Sequence, residues 1–253
     1  MRSKSTATWT RMESDLRDKT DIDSRNDYAV SVARLGDYSK AITILNEIEK
    51  QSPGLYFTAT NLGTVYELAG NNKEALKWIA EGIKRNKKSH EGTEWLHARI
   101  LEAKIKQAED PTYLLKHSVL DLDWNAVTGK ETEFIIHGTR IPSNAVQKAL
   151  LYQLEERMQL VKPKDLVVAQ LLHDYAELIA ATSVLEDAIR LHQLSMEYGY
   201  PDRVAVENEV ARMEHTIQMA RVKPYFKYAA YLLLALGLVA FVFKKKWITF
   251  RLR

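Results

Sequence analysis

Two stretches of this chain superimpose at an offset of 34 residues: Gly36 falls on Gly70, Ala41 on Ala75, Leu45 on Ile79, Tyr28 on Leu62 and Ala29 on Gly63. Self-similarity at such a period marks structural units too small to bury an apolar face alone, which gain a core only by stacking on their neighbours. Within each unit the small residues pair across a predicted helical hairpin, Ala29 with Ala41 and Gly63 with Ala75, where a larger side chain would force the two axes apart. Tyr66, Leu68, Leu76, Ile79 and Ile83 supply the i, i+3, i+4 apolar stripe of buried helix faces, so they read as core rather than as ligand contacts.

The first unit, Ile22 to Gly54, turns at Leu35-Gly36-Asp37-Tyr38 and closes at Pro53. The second, Leu55 to Lys88, turns at Ala69-Gly70-Asn71-Asn72 and carries Lys87 in the proline position. On these residues the chain resembles the tetratricopeptide repeat, and the segments RNDYAVSVARLGDY, EGTEWLHARILEAKI and QLEERMQLVKP look like bacterial repeat proteins of that kind. The resemblance implies an all-α solenoid that grips a segment of a partner protein in its concave face. It places Asn26, Val30, Ala33, Phe57, Thr60, Asn61, Thr64 and Glu67 along that groove. The carboxylate clamp by which some such proteins hold acidic C-termini is not reproduced: Asn61 fits, but Val30 replaces an asparagine, and Glu91 and Trp95 stand where basic residues are needed.

A third unit begins and then fails. Glu91 to Lys106 has the helical period, yet no hairpin glycine follows and Asp110-Pro111 breaks the pattern, so this reads as a capping helix that ends a first block at 22–109, after an N-terminal segment 1–21. Residues 110–142 form an irregular connection in which Phe134-Ile135-Ile136 is either a short strand or a buried loop anchor. Helical periodicity resumes in a second block, 143–222, with Ser143 as a cap candidate, Pro163 as a first-turn residue and a degenerate hairpin from Ala169 to Asp202 that turns near Ser183. A solvated helix follows from Asp202 to Val222.

Tyr228 to Phe243 is a run of 16 residues without a charge, bordered by tyrosines and by Trp247. With its flanks it predicts a single transmembrane helix over 224–247 and a basic tail over 248–253, hence a single-pass protein of a bacterial inner membrane held in the bilayer by that helix. The N-terminus has no apolar signal-peptide core, which favours repeats on the cytoplasmic side, although basic residues on both flanks leave the orientation open. The net charge of +3 includes no strong patch for nucleic acid, and no cysteine is present to form a disulfide or a thiolate metal site.

Catalytic chemistry is hard to find. No two of the seven histidines are spaced i, i+4 around a glutamate, so a helical zinc site of the metalloprotease type is not encoded, and phosphate-binding glycine loops and nucleophile elbows are absent. His90 and His97 are seven apart with Glu94 between them, read as an ordinary surface pair, and His173-Asp174 reads as a solvated or core-edge pair. No catalytic residue, metal or cofactor is assigned. The sequence favours a membrane-tethered, non-catalytic adaptor for a protein partner; a structural subunit of a membrane complex is the alternative, and an enzyme with its site in 121–142 a third.

Overall fold

The structure, a computed structural model, describes residues 5–251, with the side chains of 238–251 and of a few scattered residues before them outside the description. Helix α1 (Thr6–Leu16) precedes two helical hairpins, α2 (Ile22–Arg34) with α3 (Tyr38–Gln51) and α4 (Tyr56–Leu68) with α5 (Asn72–Arg85). Their turns are built alike. Gly36 and Gly70 adopt φ of +97° and +82°, a left-handed conformation that costs glycine little. The amides of Asp37 and Asn71 then donate back to Val32 O (3.2 Å) and Tyr66 O (2.9 Å) and close the first helix of each hairpin. The side chains of the same Asp37 and Asn71 accept from Lys40 N (3.0 Å) and Glu74 N (3.2 Å), capping the second helix. Two adjacent residues therefore stop one helix and start the next, at the same place in both units.

Ala29, Ala41, Leu45 and Leu62 are fully buried and pack with Val32, Ile48 and Val65 into the core of α2, α3 and α4. Ala75, Ile79 and Leu101 carry the core on to α6 (Glu94–Glu109). Gly63 lies where α4 meets α5, and a Cβ there would come within 2.6 Å of Ile79 Cδ1. Arg85 fastens one hairpin to the other: it donates to both carboxylate oxygens of Glu49 (2.8 and 2.7 Å) and to Leu55 O (2.8 Å).

Beyond α6 come the short α7 (Tyr113–Lys116) and a two-stranded antiparallel hairpin, β1 (Glu133–Ile136) with β2 (Thr139–Pro142), in which Phe134 pairs with Ile141. Phe134 and Ile136 point inward while Ile135 is exposed, the alternation of a strand with one covered face. The chain is thus mostly helical, with this hairpin inside the stretch expected to be irregular. Helix α8 (Ser143–Met158) counts Ser143 as its first residue rather than its cap, because the Ser143 amide donates to Thr132 O (2.9 Å). Helix α9 (Leu166–Thr182) starts later than Pro163, where Asp165 accepts from Val168 N (2.8 Å). It turns at Ser183 into α10 (Leu185–Tyr198), with Ala176 and Ala188 fully buried. Leu96, Ile100, Leu120, Ile136, Leu150 and Leu171 belong to the core that α6, the β-hairpin, α8 and α9 share.

The chain divides into two compact units after Asp202. The second is one helix, α11 (Arg203–Arg251), which runs on past the expected end at Val222. The expectation of a transmembrane helix over 224–247 is corrected here: among the described residues no helix is long and apolar enough to cross a membrane. The described apolar residues of α11 stop at Gly237, and the run from Tyr228 to that point falls well short of the about 20 residues a span needs. The rest of the expected span and the basic tail over 248–253 lie outside the side chains described.

Candidate functional site

A cavity of about 340 Å³ opens in the first unit, walled by α2 and α4 on one side and by α6 and α8 on the other. Five of the residues expected in a groove line it: Val30, Ala33, Asn61, Thr64 and Glu67. Asn26, Phe57 and Thr60 do not. Asn26 is buried beside it, donating to Ile22 O (3.0 Å) and accepting from Asn61 Nδ2 (3.4 Å). Phe57 shares the helical stripe of Asn61, Thr64 and Leu68 but sits a turn before the cavity begins, with its ring edge-on to Tyr56. Thr60 is rotated toward α5, and its methyl fills the space that a Cβ on Gly82 would need, 2.5 Å away.

Glu67 is the centre of the cavity floor. Its side chain is 8% exposed, and its carboxylate lies 2.7 Å from His97 Nε2, 2.8 Å from Lys104 Nζ and 2.7 Å from Arg157 Nη1, with Nη2 of the same arginine at 3.3 Å. Burial alone would push this carboxyl up; Arg157, His97 and Lys104 more than offset that and hold it well below the usual carboxylate range. His97 is buried between two glutamates, with Nδ1 3.4 Å from Glu94 Oε2. Burial pushes its imidazole down, but Glu67, hydrogen-bonded at Nε2, and Glu94 prevail and raise it.

Glu94 was expected in a surface pair, yet it is buried at the first turn of α6. Burial works against its charge, while His90 and His97 lower its pKa to about 2. His90 pairs with it from outside the helix and stacks on Tyr152 of α8 at 5.5 Å between ring centroids. Histidine spacing alone did not show this, since Glu67 reaches His97, and Lys104 and Arg157 reach Glu67, only through the tertiary fold. Two buried glutamates thus hold four basic side chains, His90, His97, Lys104 and Arg157, and the rim adds Arg34, paired with Glu156 at 3.2 Å. Such a floor is rigid and polar. The walls above it are aliphatic, from Val30, Leu68, Leu160 and Val161.

Of the two readings of His173-Asp174, solvated or core-edge, the structure has the pair at the edge of the core. Asp174 is fully buried, accepting from Trp124 Nε1 (2.8 Å), and burial pushes its carboxyl up to about 7. His173 joins Glu177 and His192 in the one group among the described residues whose donor atoms lie close enough together to hold a metal ion. No protein-family model matches this chain, and no curated protein matches it.

Proposed function

We propose that the chain is a non-catalytic binding protein whose cavity takes a short segment of a partner protein. The observation that carries this reading is the cavity itself, concave and bounded by α2, α4, α6 and α8, with aliphatic walls above a floor of paired acidic and basic groups. Apolar walls with a few fixed polar groups suit the docking of one or two side chains of a peptide, and a volume of about 340 Å³ stands at the small end of pockets that enclose a ligand. The acidic and basic groups of the floor are committed to one another at hydrogen-bond distance, so they hold the walls in place and leave selectivity to Val30, Asn61, Thr64 and Arg34. The two repeated hairpins agree with this use, because stacked helical units build continuous concave surfaces.

The test is a photo-crosslinking amino acid placed at Thr64, inside the cavity, and in a second variant at Lys40, outside it. In cells of the source organism, position 64 is expected to trap one discrete protein that position 40 does not, and Val30→Trp, which fills the cavity, is expected to abolish the product. Equal products at both positions, or a product unaffected by Val30→Trp, would overturn the reading.

A further inference from the structure

Helices α9 and α10 pack on each other along their length, and at the middle of that contact three donors converge. His173 and Glu177 are one turn apart on α9, and His192 reaches them from α10. Glu177 Oε1 lies 3.6 Å from His173 Nε2 and 3.5 Å from His192 Nε2, and one donor atom from each residue falls within 4.8 Å of the others. Donors about 2.0–2.2 Å from a tetrahedral zinc ion stand about 3.3–3.6 Å from one another, so both glutamate distances are those of ligand pairs already in place.

His192 is the second, independent observation. Its side chain is 0% exposed, and neither ring nitrogen has a hydrogen-bond partner in the protein. A buried imidazole normally finds partners for its polar atoms, and an ion between His192 Nε2, His173 and Glu177 would supply the one missing on the side that faces them. His173 is held in place by ring contacts. Its ring stacks on Tyr200 at 4.1 Å with only 5° between planes, and it meets the His192 ring edge-on at 5.3 Å. His173 and Glu177 each keep 16% of their side chains exposed, so one side of the cluster is open to solvent.

We infer that His173, Glu177 and His192 form a binding site for a first-row divalent cation, zinc above all, with three protein ligands and a fourth position left to water or to an incoming donor. Two imidazoles and one carboxylate are borderline ligands that suit zinc better than calcium or magnesium, which take oxygen donors in larger number. The spacing escapes a search for the metalloprotease motif because the second histidine comes from another helix, 15 residues beyond Glu177. The inference is independent of the partner-binding cavity, which none of the three residues lines.

The test uses the full chain, stripped with a chelator and titrated with zinc chloride by calorimetry, then with cobalt(II) followed by visible absorption. The expected result is one zinc per chain and the intense ligand-field bands of tetrahedral cobalt. Glu177→Gln and His192→Gln are each expected to weaken binding by more than the about 10- to 100-fold that loss of an outer-shell partner alone costs. His117→Gln, at an exposed histidine, serves as the control and is expected to bind as the wild type does. Should His192→Gln fail to fold, Glu177→Gln, at a side chain that keeps some exposure, carries the comparison. Absence of a stoichiometric zinc, or equal binding by wild type and Glu177→Gln, overturns the inference.

Discussion

At the scale of single residues, Glu67 shows how a polar group is kept inside a helical protein. Three basic side chains from two other helices converge on one carboxylate, so removing it leaves the buried Arg157 and His97 without their partner. Glu67→Leu is expected to cost about 3–5 kcal/mol, the range for breaking one side of a buried pair. Adding Arg157→Leu to it should return part of that loss, and a double-mutant cycle by urea unfolding measures the coupling. Absence of coupling would show that Arg157 spends its charge elsewhere. The same cluster fixes a pH window. Glu94 is lowered to about 2, so its contribution is present above its unfolded pKa of about 4.5 and is lost as pH falls toward 2. His97 is raised, so its contribution is complete below about 6.5 and is lost as pH climbs through the folded value. The cluster is therefore at full strength between about pH 4.5 and 6.5. His97→Asn is expected to flatten the alkaline side of the stability profile, and urea midpoints at a series of pH values check this. A variant that kept the wild-type alkaline slope would place the titration in another group.

At the scale of elements, the hairpins were legible and the joints between them were not. Gly36 and Gly70, each followed by a capping Asp or Asn, announce a stop and a start in local chemistry, and local chemistry is visible in sequence. The small residues at 29, 41, 63 and 75 are all buried, as their spacing required. What escaped was set by contacts far apart in the chain. Phe57 has the right stripe in the wrong turn, Thr60 faces Gly82, and the start of α9 was decided by Asp165 rather than by a proline. The strand at Phe134 was one of two readings because four residues are too few for a period to be distinctive. The membrane reading erred by treating an uncharged run as sufficient when the described part of α11 offers no segment long and apolar enough to span a bilayer. For the α4–α5 crossing, Gly63→Val would drive new carbon atoms into a fully buried Ile79. It should destabilise by about 1–3 kcal/mol as overpacking does, read as a drop in the urea midpoint. Gly138→Val, with no atom within 4 Å of the new Cβ, should show only the strain of its left-handed backbone. Equal effects at both sites would mean that the crossing is looser than it looks.

For the molecule as a whole, the Arg157–Glu67 bond joins residues 90 positions apart and so ties the two hairpins to the segment that begins at α8. Stacked helical units are coupled mainly to their neighbours, and a long-range tie of this kind makes such an array unfold as one. Arg157→Met is expected to uncouple it: hydrogen exchange in α2 to α5 should accelerate while protection in α9 and α10 stays close to wild type. Uniform acceleration throughout would show that packing, not the ion pair, transmits cooperativity. The tie also has a consequence in time. Chains emerge from synthesis N-terminus first, and the hairpins of residues 22–85 can close on local contacts before α8 exists. Until Arg157 is made, Glu67 has no guanidinium, and the wall that turns an open helical face into a cavity is missing. On the reading proposed above, partner capture at this site waits for α8, and nascent fragments that end before it lack the closed cavity.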